Sequence, residues 1–289
     1  MWLLEVGATK TDWLIGTPQG LVRHTLQGLN TEAEGWKAAE AYIERLQQVQ
    51  KLYGFARPRH IWYYGPALHE AEARQRLQSL LAEAFGLPRE AVEVAHDLLG
   101  AARAAWGEAA GIVGILGTGS NCALWDGQAL IQQAGGHGYL LGDEGSGADL
   151  GRHFLSALLY AEVPADLEAA FWAENPYPEA SAPLRLRQKA YTSARPSAFL
   201  AGFAPFLARH QRHPWVKALV SERFTHFHRR TWRRWGIRKP IRYIGGVARA
   251  FAGLLEATTC AEGGEWGGIV VDTAEALWAY HQRKEGTRA

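Results

Sequence analysis

Two distant stretches of the chain open alike: an apolar strand, a turn of small and hydroxyl residues, and a strand that returns. In the first, residues 2–6 form a short apolar run broken by Glu5, Gly7-Ala8-Thr9-Lys10-Thr11 makes the turn, and Trp13-Leu14-Ile15 resumes. In the second, residues 112–116 are apolar, Gly117-Thr118-Gly119-Ser120-Asn121 makes the turn, and Cys122-Ala123-Leu124-Trp125 resumes. Each then adds a third strand. One is at Leu21-Val22, after Pro18-Gln19-Gly20; the other spans 129–133, after Asp126-Gly127, a strong hairpin signal. A strand–turn–strand unit that recurs implies a duplicated fold. Two halves that each bring a small-residue β-turn would face each other across a cleft, the usual place for a ligand.

Beyond each meander, helices and strands alternate. In the first half, residues 31–53 have helical periodicity, with Ala38, Ala41, Tyr42, Leu46 and Val49 on one face. A strand at 60–64, a helix at 67–85 stopped by Gly86-Leu87-Pro88, a strand at 92–95 and a helix at 98–106 complete it. The second half continues with helices at 150–160, 165–172, 197–210 and 215–235, a strand at 241–244, a helix from about Ala248, a strand at 269–271 and a helix at 274–283. The reading is α/β, with domains at 1–110 plus 274–289 and at 111–273, the second carrying a helical insertion. Residues 175–183 hold three prolines with little periodicity and read as a surface loop inside the second domain.

Composition narrows the function classes. The chain has 289 residues, 47% apolar and 21% charged, with a net charge of +2, as in a soluble globular protein without a dedicated nucleic-acid surface. The basic run Arg229-Arg230 to Arg233-Arg234-Trp235 fits a solvated helix face. Two cysteines, Cys122 and Cys260, form neither a disulfide framework nor a zinc pattern, which suits a reducing cytoplasm. The N-terminus runs into a strand with no leader pattern, and no apolar run has the ~18 residues of a membrane helix.

Several segments have residues suited to phosphate and sugar chemistry, each with a plainer alternative. In both turns small residues let backbone N–H groups approach phosphate oxygens, and hydroxyls and an ammonium stand beside them. Each turn taken alone could be an ordinary hairpin; two at matching places favour the phosphate reading. Asp97 follows a strand and opens a helix, so it is either an N-cap or a general base for a substrate hydroxyl. The region of Gly135-Gly136-His137-Gly138 and Gly142-Asp143-Glu144-Gly145-Ser146-Gly147 is the most glycine-dense. Its paired acids suit sugar hydroxyls or metal-bound water; the alternative is a long loop with a cap at Ser146. Gly245-Gly246 follows a strand and opens a helix, where a flat ring could lie on the backbone. Asn30, after Gly28-Leu29, can donate to and accept from a sugar, or simply precede a helix capped by Thr31.

Taken in order, Val6 to Trp13, Gly28-Leu29-Asn30, Tyr63-Tyr64-Gly65-Pro66, His96 to Ala105, Gly114 to Cys122, Gly135 to Gly147 and Tyr243 to Phe251 resemble the BadF/BadG/BcrA/BcrD-type ATPases, and within them the N-acetylglucosamine kinase-like branch. The runs 115–122 and 141–147 are the most specific. The resemblance implies two ribonuclease-H-like (actin-like ATPase) domains closing on ATP, Mg2+ and a sugar. It implies a first phosphate loop with Gly7, Thr9, Lys10 and Thr11, a second with Gly117, Thr118, Gly119 and Ser120, and an adenosine loop with Gly245 and Gly246. It further implies sugar contacts at Asn30, Asn121, Gly136, Gly138 and Asp143, and Asp97 as catalytic base. The first loop of such proteins opens with Asp, which holds water on Mg2+; here Glu5 stands there, one methylene longer, followed by the bulkier Val6. The segment after Asp272 also lacks the usual C-terminal signature.

The expected activity is ATP-dependent phosphorylation of N-acetylglucosamine, N-acetylmuramic acid or glucosamine at the 6-hydroxyl by a cytoplasmic enzyme, possible as a homodimer, with neither nucleic acid nor membrane as partner. Two alternatives stand beside it. One is a non-catalytic nucleotide or sugar sensor, motivated by Glu5 and Val6. The other is an activator ATPase of a radical dehydratase, which would share a [4Fe–4S] cluster across a dimer.

Overall fold

The computed structural model describes residues 1–175 and 182–286. Most of the expected 175–183 loop, at 176–181, lies outside the described residues, as does the chain end at 287–289. Two compact units emerge, Met1–Glu108 with Asp272–Ala289, and Ala109–Val271.

The first unit contains β1 (Trp2–Val6), β2 (Lys10–Thr17), β3 (Gly20–Gln27), α1 (Thr31–Glu34), α2 (Trp36–Tyr53), β4 (Ile61–Gly65), α3 (Ala71–Phe85), β5 (Val92–His96) and α4 (Asp97–Trp106). The sheet order is β3-β2-β1-β4-β5. β1 runs antiparallel to β2 and parallel to β4, so it is central. Both its faces are covered, which is why it reads as a nearly unbroken apolar run rather than an alternation. Trp2, Leu4 and Val6 pack with Trp13, Ile15, Ile61 and Tyr63 against α2 and α3. Leu3 joins Leu14, Tyr64 and Ala95 on the other face. α2 presents Ala39, Tyr42, Ile43, Leu46 and Val49 at helical spacing.

The second unit contains β6 (Gly111–Leu116), β7 (Ser120–Trp125), β8 (Leu130–Gly135), α5 (Gly138–Leu141), α6 (Gly147–Leu159), α7 (Ala165–Glu174), α8 (Ala182–Thr192), α9 (Pro196–Ala201), α10 (Ala204–Arg209), α11 (Pro214–Arg230), β9 (Pro240–Ile244), α12 (Gly246–Ala250), α13 (Ala252–Ala261) and β10 (Glu265–Val270). Its sheet order is β10-β9-β6-β7-β8. β6 is antiparallel to β7 and parallel to β9, as β1 is to β2 and β4. Read from its own first strand, each sheet therefore has the same order and the same strand directions. The chain then enters α14 (Thr273–Gly286), whose Ala274, Leu277 and Trp278 close the first unit's core over Leu3, Leu14 and Tyr64.

Several expected helices are interrupted. The 31–53 helix breaks at Gly35, whose φ of 79° is left-handed. The 67–85 helix starts only at Ala71, and Ala67 sits at a φ of 59°. The 197–210 helix splits into α9 and α10, with Pro205 in the first turn of the second. The 215–235 helix stops at Arg230 and continues as a 3₁₀ turn, Trp232–Trp235. Its arginines are anchored: Arg229 and Arg233 on Glu262, and Arg230 on Glu144. Among the described residues no helix is long and apolar enough to cross a membrane.

Candidate active site

The loops after the strands hold the expected residues in two clusters, one in each unit. In the first unit the turn between β1 and β2 closes tightly, with Gly7 N–H donating to the Lys10 carbonyl at 2.8 Å. Gly28, just past β3, is wedged against it. A Cβ there would lie 2.0 Å from the Gly7 oxygen and 2.8 Å from the Lys10 nitrogen, and the Gly28 N–H donates to the Thr9 carbonyl at 3.0 Å. Only glycine allows this approach. Thr9 and Lys10 are exposed, but Thr11 is fully buried. The Thr11 hydroxyl donates to the Gln27 carbonyl at 3.3 Å and accepts from the Tyr42 hydroxyl at 3.1 Å, so it supports the loop from beneath.

Carboxylates gather beside this loop. In the hairpin register Glu5 lies opposite Asp12, which puts two acids side by side on one face of the sheet. Asp97 begins α4 after β5, and Asp272 precedes α14. Burial pushes the Glu5 carboxyl up to about 7; the Asp12 and Asp97 charges add to it, and Lys10 opposes them. Lys10 is bound to Asp12, at 2.8 Å. Burial lifts Asp272 too, but the Glu275 amide and Arg23 outweigh it and hold that carboxyl below its ordinary range.

Asp97 is not the cap of its helix. The N-cap is His96, whose Nδ1 accepts the Leu98 N–H at 3.2 Å, and Asp97 is the first helical residue. The capping alternative for Asp97 is thereby corrected. Its Oδ1 is buried without a hydrogen-bond partner, and burial raises the carboxyl to about 6, against the pull of the Leu98 amide and of His69 when protonated. Asn30, not Thr31, caps α1: its Oδ1 accepts the Glu32 N–H at 3.1 Å, while its own N–H donates to Glu34.

In the second unit the Gly117–Ser120 turn is bound from two sides. The first turn of α6 donates to it, Gly147 N–H to Gly117 at 2.8 Å and Ala148 N–H to Thr118 at 3.1 Å. Ser146 Oγ caps that helix by accepting the Asp149 N–H. Gly245, at a φ of 114°, presses on the start of the turn, where a Cβ would lie 2.3 Å from the Leu116 oxygen. Gly246 then starts α12. The buried Asp143, at a φ of 59°, accepts the amides of Ser120 and Gly138, and burial raises its carboxyl to about 6. Asn121 Oδ1 accepts the Cys122 N–H at 2.9 Å, and its Nδ2 lies 2.8 Å from where a Gly136 Cβ would be. Four of the five expected sugar positions thus share one loop cluster, and Asn30 lies in the other unit.

Asp12, His96, His69 and Gly28 were not among the expected site residues. Asp12 follows from hairpin register alone, once the turn length is known; the others depend on the folded backbone. Among the described residues no group of three or more His, Cys, Asp or Glu side chains is placed to hold a metal unaided. Cys122 is fully buried, its thiol pushed up to about 12 by burial, and Cys260 is exposed on α13.

No family model matches the chain. Nothing among the curated proteins matches it. Among solved structures, a Porphyromonas gingivalis protein provisionally named an N-acetylglucosamine kinase is 33% identical over 99% of both chains, with a TM-score of 0.88. A Chromobacterium violaceum protein named in the same provisional way is 22% identical, covering 96% of this chain and 98% of its own, with a TM-score of 0.70. A ROK family glucokinase from Streptomyces griseus, in complex with glucose and AMPPNP, shares the fold at 14% identity and a TM-score of 0.53, over 98% and 99% of the chains. With a third of its residues identical to the first of these along essentially its whole length, the chain belongs to the N-acetylglucosamine kinase-like family of sugar kinases.

Proposed function

We propose that the protein transfers the γ-phosphoryl group of ATP to an amino sugar, N-acetylglucosamine, N-acetylmuramic acid or glucosamine, at its 6-hydroxyl, with Asp97 as general base. The observation that carries this is Asp97 itself. Its carboxyl is raised to about 6, is not spent on capping its helix, and keeps one oxygen without a partner. A base in that range is ionised near neutrality yet basic enough to take a hydroxyl proton. The further placement among the BadF/BadG/BcrA/BcrD-type ATPases rests on the loop motifs.

The remaining roles are distributed over the loops. Gly7, Thr9 and Lys10 would bind phosphate oxygens in the first unit, with Thr11 holding their strand. Gly117, Thr118, Gly119 and Ser120 would do so in the second, with Gly245 and Gly246 under the adenosine. Asn30, Asn121, Gly136, Gly138 and Asp143 would orient the sugar. Glu5 suits Mg2+: a partly buried carboxylate pushed up to about 7 by burial and neighbouring acids is relieved by a cation. No full protein cage accompanies it among the described residues, which fits an ion that keeps waters and phosphate oxygens as ligands. Bound Mg-ATP supplies the electrophilic phosphorus. Asp97 takes the proton as the sugar oxygen bonds to it, and the bond to the ADP oxygen breaks.

The test is coupled ADP release with N-acetylglucosamine, N-acetylmuramic acid, glucosamine, glucose and no sugar. Turnover that needs one amino sugar names the substrate, and Asp97→Asn should then lower kcat by about 10²–10⁴-fold. Unchanged turnover in that variant would remove Asp97 from the mechanism. Silence across the panel from a protein that binds ATP would favour the sensor reading.

A further inference from the structure

We propose that His96, backed by His69, is a positioning residue for the base: it fixes which oxygen of Asp97 is offered and keeps that carboxylate basic. This rests on Asp97 being the base. His96 Nδ1 lies 3.2 Å from the Leu98 amide nitrogen and 3.0 Å from Asp97 Oδ1. The amide can only donate, so Nδ1 is the bare nitrogen of a neutral ring and the proton is on Nε2. Nε2 finds its acceptor in His69 Nε2, at 3.2 Å. One tautomer satisfies both contacts, and it leaves Nδ1 with no hydrogen to give Asp97.

Asp97 Oδ1 therefore faces a lone pair, which explains why it is buried without a partner. The ionised carboxylate is disfavoured there, whereas a carboxyl protonated at Oδ1 would share the Nδ1 lone pair with the Leu98 amide as a second donor, so His96 favours the proton-bearing form of the base. With Oδ1 turned to the ring, and the side chain still 29% exposed, Oδ2 is the oxygen left for a substrate hydroxyl. The charged groups around the pair act in a consistent sense on His96. Burial lowers it to about 4, with His69 when protonated and the Arg74 charge acting in the same direction, so the ring stays neutral near pH 7. Arg74, on α3, is held by the Leu68 and His69 carbonyls. Facing Asp97 are His69, which opposes its elevation only when protonated, and Glu5.

The test compares His96→Ala, His96→Asn and Asp97→Asn by thermal melting and by the pH profile of kcat/KM. Asparagine caps a helix well, so His96→Asn keeps the cap while removing the ring. Melting should fall in His96→Ala and recover in His96→Asn. The acid limb of His96→Asn should nonetheless move to lower pH by about half a unit to one unit, with kcat several-fold lower and KM for ATP unchanged. If His96→Asn folds poorly, His69→Leu keeps the cap and removes the acceptor that fixes the tautomer; its limb should move the same way, by less. An acid limb that stays in place in these variants overturns the inference and leaves His96 as a cap. A fully active Asp97→Asn would overturn the base assignment instead, so the two failures are distinct.

Discussion

The two sheets share strand order and direction, yet the loops at the ends of their matching strands are chemically unlike. Beside the β1–β2 turn the first unit gathers Glu5, Asp12, Asp97 and Asp272, with Lys10 as a countercharge. The matching turn of the second unit, Gly117–Ser120, is surrounded by backbone: the first turn of α6, Gly245, and the amides held by Asp143. One copy gathers several carboxylates around its turn, and the other braces its turn with backbone hydrogen bonds, one buried carboxylate and close glycine approaches. Topology supplies equivalent places to stand, and side chains decide what is done there. The division suits a kinase, in which proton removal and metal charge belong together and a phosphate-binding turn must be held rigid.

The largest test of this contrast is steric. Each turn leans on one glycine, Gly28 in the first unit and Gly245 in the second. Gly28→Ala forces a Cβ to within 2.0 Å of a backbone oxygen and should cost about 1–3 kcal/mol. Gly245→Ala meets a similar clash at 2.3 Å and adds a left-handed φ of 114°, about 1–2 kcal/mol more. Melting curves should therefore rank Gly245→Ala below Gly28→Ala. Equal melting of Gly245→Ala and the native chain would show that the second turn is not built on that contact.

The next test separates charge from packing. A carboxyl raised from 4.5 to about 7 in the fold stabilises it below pH ~4.5, and that contribution is lost as pH rises to 7. Glu5→Gln removes the penalty. Without Mg2+ it should be more stable than the native chain at pH 8, by on the order of 2 kcal/mol, and the two should converge near pH 5. Activity should fall, because the carboxylate proposed to face Mg2+ is gone. A variant no more stable at pH 8 would mean that the acids around Glu5 are already relieved, and the contrast between the units would weaken.

Much of this architecture is legible in the sequence, because turn residues mark where strands end. Asp126-Gly127 and Pro18-Gln19-Gly20 delimit hairpins, and the repeated small-residue turns reveal the duplication before any contact is known. Helix ends are less legible where backbone geometry overrides residue type. Ala67 holds a left-handed φ that alanine does not favour, so the start of α3 is hidden. His96 caps α4 although the neighbouring Asp is the stronger capping residue by propensity. The carboxylate cluster is hidden for another reason. Glu5, Asp12, Asp97 and Asp272 meet through strand register and the starts of two helices, a three-dimensional coincidence of four separate segments.

The smallest effect tests how the charged loop is supported from below. Tyr42, on α2, donates to the buried Thr11 hydroxyl, and Thr11 in turn donates to the Gln27 carbonyl at the end of β3. This short chain of hydroxyls ties α2 to the strand that carries Lys10 and Asp12. Tyr42→Phe deletes only the outer hydroxyl and keeps the ring in its apolar contacts. It should cost about 0.5–1.5 kcal/mol by denaturant unfolding. Because Thr11 retains the Gln27 carbonyl, the loop itself should hold, and the KM for ATP should change less than about twofold. A larger rise in that KM, at the same small loss of stability, would mean that the first unit's loop depends on side-chain hydroxyls beneath it, where the second unit's turn depends on backbone amides and Gly245.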